Sequence, residues 1–307
     1  MISALIHKRH LFNYNVVIMT KNTIAMRAFC LILCYLNYFV KSDVVRDGYH
    51  KAIGIPKAYS MMSVEGMSRI VGGSPAGTAM AFPYQAGIVV TLTTGWTSVC
   101  GGSLVSNTRV LTAAHCWWDG QSQASQFTVV LGSLLLFSGG NRIVTKDIVL
   151  HPNWNTNDIR NDIAVVKIPR VQYTNIIQAI PLPALSDVNQ DFSGLVGTAT
   201  GYGKTTDAQN NFPQTTTLHH VNLNVITNTV CQTRFDIPLH GSQMCTDGAR
   251  GVGTCEGDSG GPLTVVWKNK RTLVGIVSFG VGDACQAGHP SVYTRVTAFL
   301  TWIQANL

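Results

Sequence analysis

Charge is scarce in this chain: Asp, Glu, Lys and Arg make up 12% of 307 residues, against 46% hydrophobic residues. That balance excludes a disordered chain and leaves a globular one of one or two domains with a sizeable core. Internal repeats and low-complexity tracts are also missing, so no solenoid or repeat array is expected. A basic nucleic-acid-binding face is absent despite a formal net charge of +7. Nine Lys/Arg against three Asp/Glu fall within residues 1–69, and residues 70–307 hold thirteen against twelve, so nucleic acid is not a partner.

Long hydrophobic runs are lacking too. The most apolar stretch, MRAFCLILCYLNYFVKS at 26–42, lies between Arg27 and Lys41 and is too short for a membrane span. It reads as the apolar region of a secretory signal, with a cleavage site at Val40-Lys41-Ser42, although no A-x-A pattern is present. The 25 residues ahead of Met26 are unusual for such a signal, so the leader is long or translation starts at Met19 or Met26. A short buried helix is the competing reading, but nothing downstream looks like its packing partner.

What is present begins with cysteine. Cys30 and Cys34 fall in the leader, leaving Cys100, Cys116, Cys231, Cys245, Cys255 and Cys285. An even number behind a signal implies three disulfides in an oxidising compartment, with the connectivity open. The spacing is unlike a zinc site, so no metal is expected there.

From Ile70 onward short apolar runs alternate with Gly, Asn, Ser and Pro clusters: AGIVVTL, RVLTAA, FTVVLGS, RIVTKDIVL, IAVVKI, LHHVNLNVI, PLTVVW and TLVGIVSFG. Such spacing predicts an all-β protein of barrels or sandwiches. VTAFLTWIQANL places Val296, Phe299, Leu300 and Ile303 on one face of a C-terminal helix. PALSDVNQDFSG at 183–194 reads as a connector between halves at about 70–185 and 186–307.

TCEGDSGGP at 254–262 sets Ser259 among glycines, where backbone N–H groups can approach a substrate carbonyl unobstructed. A serine nucleophile also needs a base and a group that orients it. LTAAHC at 111–116 offers His115 and NDIAVVKI at 161–168 offers Asp162. Alone, DSG would be an incidental turn. Asp158 is the competing acid, but it lacks the following apolar run. His151, His219 and His220 read as structural or solvated.

With these three motifs in order, the stretch 70–307 resembles the trypsin/chymotrypsin family of serine proteases. The resemblance implies two six-stranded antiparallel Greek-key β-barrels with a C-terminal α-helix and a cleft between the barrels. It implies Ser259 as nucleophile, His115 as general base and then acid, and Asp162 as the carboxylate holding the imidazole tautomer. Gly257 and Ser259 would supply the oxyanion N–H pair, and Ser278 of VSFG would hydrogen-bond near Asp162. The implied disulfides are Cys100–Cys116, Cys231–Cys245 and Cys255–Cys285. No cofactor is needed, and the stretch LGSLLLFSGGNR, where relatives hold calcium, has no carboxylate.

SRIVGG at 68–73 resembles the family's activation junction. Residues 43–69 would be a propeptide, and cleavage after Arg69 would free the Ile70 amine to pair with Asp258. YHKAIGIPKA within it resembles lepidopteran midgut chymotrypsin precursors. The histidine through which relatives hold the zymogen would fall near Ser98, where none stands.

By the same resemblance Gly253, six residues before the serine, is the base of the specificity pocket, with Gly280 and Ser291 on its walls. An uncharged, open pocket favours Phe, Tyr, Leu or Met before the scissile bond, and Glu256 at the lip would repel acidic neighbours. Such an enzyme cleaves poorly after Arg69, so a trypsin-like activator is implied. The expected protein is a secreted, monomeric, digestive endopeptidase, active on proteins and peptides in a space such as a gut lumen. Protein protease inhibitors are a further partner class, and no membrane association is expected once the signal is removed. The alternatives are a broader collagenase-like protease and a non-catalytic secreted binding homologue.

Overall fold

A computed structural model describes residues 48–65, 74–204, 217–235, 238–280 and 285–307, all within one unit, Asp47–Leu307. The leader 1–42 and the junction residues Arg69 and Ile70 lie outside the described residues. Among the described residues no helix is long and apolar enough to cross a membrane.

The chain opens with a wide π-type turn, His50–Gly54, running into helix α1, Ile55–Glu65. The Ile55 N–H donates to the His50 carbonyl, five residues back. Pro56 explains the widening: its ring crowds the carbonyl four residues earlier and it has no N–H to give, so the helix passes it with a looser turn.

Strand β1, Ser74–Pro75, precedes two sheets. The first is built from β2 (Gln85–Leu92), β3 (Thr97–Ser106), β4 (Arg109–Thr112), β5 (Ala124–Leu131), β6 (Asn141–Thr145), β7 (Ile148–Leu150) and β8 (Ala164–Lys167), in the order β6-β5-β2-β3-β4-β8-β7. Every pairing is antiparallel. RIVTKDIVL, which reads as one strand, is divided between the two edges. Only Lys146 and Asp147 separate β6 from β7, so the sheet has to curl until its edges meet there. No ladder seals that seam among the described residues; Thr145 Oγ1 donates to the Lys167 carbonyl (2.7 Å) and the Lys167 N–H to the Asp147 carbonyl (2.9 Å). This half is therefore seven strands with an open seam, where six closed strands are the expectation.

The second sheet holds β9 (Val196–Gly201), β10 (His219–Ile226), β11 (Gln243–Thr246), β12 (Pro262–Trp267), β13 (Lys270–Phe279) and β14 (Ser291–Arg295). The order β10-β11-β14-β13-β12-β9 closes through β9–β10 into a six-stranded barrel, with β1 added on β10. Lys268 and Asn269 both take positive φ (47° and 61°), forming the two-residue turn that joins β12 to β13 in register with their twist. Helix α2, Asn228–Gln232, is capped by Thr227 Oγ1, which accepts from the Val230 N–H.

The C-terminal residues Val296, Phe299, Leu300 and Ile303 are buried as the periodicity predicts, through a tight turn, Val296–Phe299, and a short helix α3, Leu300–Gln304. That helix returns to the first half: Phe299 and Trp302 pack on the His151 ring, and Arg109 Nε donates to the Asn306 carbonyl at 2.8 Å. His151 thus serves packing.

Candidate active site

Strand β4 delivers His115 at its end, in the turn Ala114–Cys116. The disulfide Cys100–Cys116 ties that turn to β3. Asp162 is fully buried just ahead of β8. Its Oδ2 lies 2.8 Å from His115 Nδ1, and its Oδ1 accepts the His115 backbone N–H at 2.9 Å. An ionised carboxylate only accepts, so Nδ1 carries the ring proton and Nε2 presents its lone pair. Asp158, the competing acid, is paired with Arg160 in its loop instead.

Two more donors hold Asp162. Ser278 Oγ donates to Oδ2 at 2.6 Å, and Thr294 Oγ1 to the Asp162 carbonyl at 2.7 Å. The register of β13 against β14 slips between Val277 and Phe279, which leaves Ser278 out of the ladder and free to turn to Asp162. With three donors on the carboxylate, its desolvation is offset.

Ser259 lies in the turn between the two halves, 8% exposed. Its carbonyl accepts the Gly101 N–H of β3 at 2.7 Å. The approach is close enough to demand glycine: a Cβ on Gly260 (φ +81°) would stand 2.2 Å from Thr112 Oγ1 and 2.6 Å from the Gly101 carbonyl oxygen. Asp258 is partly buried, and its carboxylate accepts N–H groups from Gly203 (2.7 Å) and Cys255 (3.0 Å). Burial raises its pKa, while those N–H groups, Lys57 and His219 oppose the rise. The disulfide Cys255–Cys285 braces this turn, and Cys231–Cys245 joins α2 to β11.

Gly253, Gly280 and Ser291 come together on the C-terminal half. A Cβ at Gly253 would stand 3.2 Å from Ser291 Oγ, and one at Gly280 would meet nothing within 4 Å. Behind them, and missed by sequence reasoning, is Tyr293. Its hydroxyl lies 3.1 Å from Thr246 Oγ1 and also engages Thr254 and Ser291, with its pKa pushed up to about 12 by burial. The Glu256 carboxylate is paired with Lys204. Among the described residues the single grouping of metal-ligating types is Cys100, His115 and Cys116. It is a disulfide beside the imidazole and offers no thiolate.

His219 Nδ1 contacts the Thr217 carbonyl at 2.5 Å, and His220 packs on Phe82. Neither of these contacts involves Ser259. Tyr49 does reach it: its hydroxyl engages the Ser259 side chain, and its ring centroid is 4.6 Å from that of His115.

The family profile described as Trypsin matches residues 70–303. A collagenase of Hypoderma lineatum is 38% identical over 239 residues, 78% of this chain and 87% of that protein. A brachyurin of Leptuca pugilator is 39% identical over 241 residues, 77% and 98% of the two chains. A chymotrypsin of Phaedon cochleariae is 36% identical over 231 residues, 74% and 78%. A solved structure described as HL collagenase at 1.7 Å resolution matches with a TM-score of 0.69 at 37% identity, over 77% of this chain and 98% of that one. A profile spanning most of the chain, relatives named as proteases and a buried carboxylate–imidazole pair beside a glycine-framed serine agree: this chain is a serine endopeptidase and belongs to the trypsin family.

Proposed function

We propose that Ser259 attacks the scissile carbonyl, with His115 Nε2 taking its proton and returning it to the leaving amine, and Asp162 fixing the tautomer. The N–H groups of Gly257 and Ser259 stabilise the oxyanion, and an acyl-enzyme forms and hydrolyses without a cofactor. The observation carrying this assignment is the 2.8 Å His115–Asp162 contact, held from behind by Ser278.

The preference we infer is for Phe, Tyr, Leu or Met before the cleaved bond. Gly253 brings no carboxylate to the base of the pocket, and the wall at Gly280 is open. The relatives named collagenase and brachyurin favour a second reading, a broader protease, and cleavage of native triple-helical collagen would select it. The chain is read as secreted behind the leader 1–42, with propeptide 43–69 removed after Arg69 by a trypsin-like protease and domain 70–307 acting as a monomer. The Ile70 amine would then pair with Asp258. A digestive role rests on YHKAIGIPKA alone.

Precursor treated with trypsin, then offered peptides differing only in Phe or Arg before the scissile bond, tests the reading. Trypsin-dependent hydrolysis after Phe is expected. Hydrolysis after Arg by the isolated product refutes the pocket assignment, and inactivity with no Ser259 labelling by a phosphonate refutes the catalytic one.

A further inference from the structure

Residues 48–65 stand on the propeptide side of the activation junction, yet one face of the segment is buried in the same core as the first sheet. Gly54, Lys57, Ala58 and Met61 form the inward stripe of the helix, three or four residues apart. Tyr49, Ala58 and Met61 enter the main apolar cluster.

This stripe lies on the catalytic centre. The Tyr49 hydroxyl donates to the Val99 carbonyl at 2.7 Å and also engages the Ser259 side chain. His50 Nδ1 meets Ser98 Oγ at 2.8 Å, and its backbone N–H donates to Asp119 Oδ2 at 2.8 Å. Gly54 rests on Ser98 so closely that a Cβ would stand 1.9 Å from Oγ. Lys57 is 8% exposed and lies against Gly257, whose Cβ position is 3.1 Å from Lys57 Cγ. Its ammonium faces Asp258 and Glu256, with Lys204 beside it. Meanwhile His115 Nε2 is buried with no hydrogen-bond partner. The serine, the base and the Gly257 turn are each covered by this one segment.

We propose that residues 48–65 are a tethered inhibitor of the catalytic centre, holding the precursor inactive through Tyr49, His50, Gly54 and Lys57. The fold thereby supplies His50 at Ser98, where the sequence has no histidine of its own. No cysteine lies between 43 and 69, so a cut after Arg69 leaves the segment attached only by these contacts. Cleavage alone therefore gives a latent enzyme, and dissociation of the segment gives the active one. Lys57 links the two events: a second ammonium arriving at Asp258 from Ile70 repels it and hastens release. This rests on the proposed activation at Arg69.

The test uses leaderless precursor carrying Lys51→Gln, which removes the exposed trypsin site of the segment while docked Lys57 stays buried, with and without Gly54→Leu, and trypsin is quenched once Arg69 is cut. Leucine keeps the helix but clashes with Ser98. After cleavage at Arg69, verified by mass, gel filtration follows the released fragment and a fluorophosphonate probe reads Ser259. The fragment is expected to co-elute with the Gly54 enzyme and to slow labelling at least tenfold until it is removed. The Gly54→Leu enzyme labels at full rate from the start. Equal immediate labelling of both, with free fragment, overturns the proposal and leaves the endopeptidase reading standing. No labelling of either after fragment removal overturns both.

Discussion

Acid should release the segment through His50. That side chain is fully buried between Ser98, Tyr49 and the His115 ring, with Asp119 the one carboxylate facing it. Burial pushes its pKa from the ordinary 6.5 down to about 4, with Asp119 opposing and His115 adding to the fall. The sign follows from proton uptake. Undocked His50 binds a proton below pH 6.5 and docked His50 does not until about pH 4, so docking is complete above 6.5 and weakens as pH falls. Over the full interval this amounts to about 3 kcal/mol, and at pH 5 to roughly 30-fold in affinity. Lys57 stays protonated throughout this range, docked or not, since burial lowers it only to about 8. Asp258, raised by burial, would if protonated weaken its attraction for Lys57 and act in the same direction. Anisotropy of a labelled 48–65 peptide on activated enzyme carrying Ser259→Ala gives Kd without cleavage. The expected result is a Kd about 30-fold larger at pH 5 than at pH 7.5, with the dependence largely lost in a His50→Gln peptide. An unchanged Kd, or an equal slope in His50→Gln, refutes the reasoning.

Ser278→Ala removes the 2.6 Å hydrogen bond to Asp162 from a dry site. Such bonds to charged groups contribute about 1.5–3 kcal/mol, so kcat should fall on the order of 10- to 100-fold with KM nearly unchanged, measured on a Phe substrate. Gly260→Ala forces a Cβ into the Gly101 carbonyl at positive φ. A loss of about 2 kcal/mol or more is expected, seen as a thermal midpoint lowered by several degrees. On the alkaline side, the proposed pairing with Asp258 would raise the Ile70 ammonium above its ordinary pKa of about 8, so activity should persist past that pH and fall as the folded-state value is crossed. A profile unchanged after blocking the Ile70 amine would contradict this.

Much of the candidate site was legible because its chemistry is local. Glycines around Ser259, an apolar strand running into His115 and another following Asp162 each mark a residue held at the edge of a strand. The all-β class followed from short apolar runs set between turn residues, and the buried face of the C-terminal segment from a spacing of three to four residues. Local pattern failed where pairing partners decide. RIVTKDIVL has the composition of one strand, and only the ladders to β5 and β8 show that two residues carry the chain between opposite edges. Strands rich in Gly, Ser and Thr, such as β3 and β9, carry weak patterns because they are buried by close backbone approach instead of large side chains.

By itself, then, the sequence determined the family and singled out the serine, histidine and aspartate proposed for catalysis and the uncharged Gly253 proposed for the pocket base, since each depends on residue type at a fixed spacing. Tertiary structure alone decided the rest. Glu256 is matched by Lys204, Tyr293 places its hydroxyl on Thr246 beside Ser291, and the bulge that turns the expected Ser278 to Asp162 shows only in the pairing of β13 with β14. The burial of Tyr49, Gly54, Lys57, Ala58 and Met61 came from the structure, and its meaning depends on what these residues touch. A helical face becomes an inhibitor only when the surface it buries against is the catalytic centre.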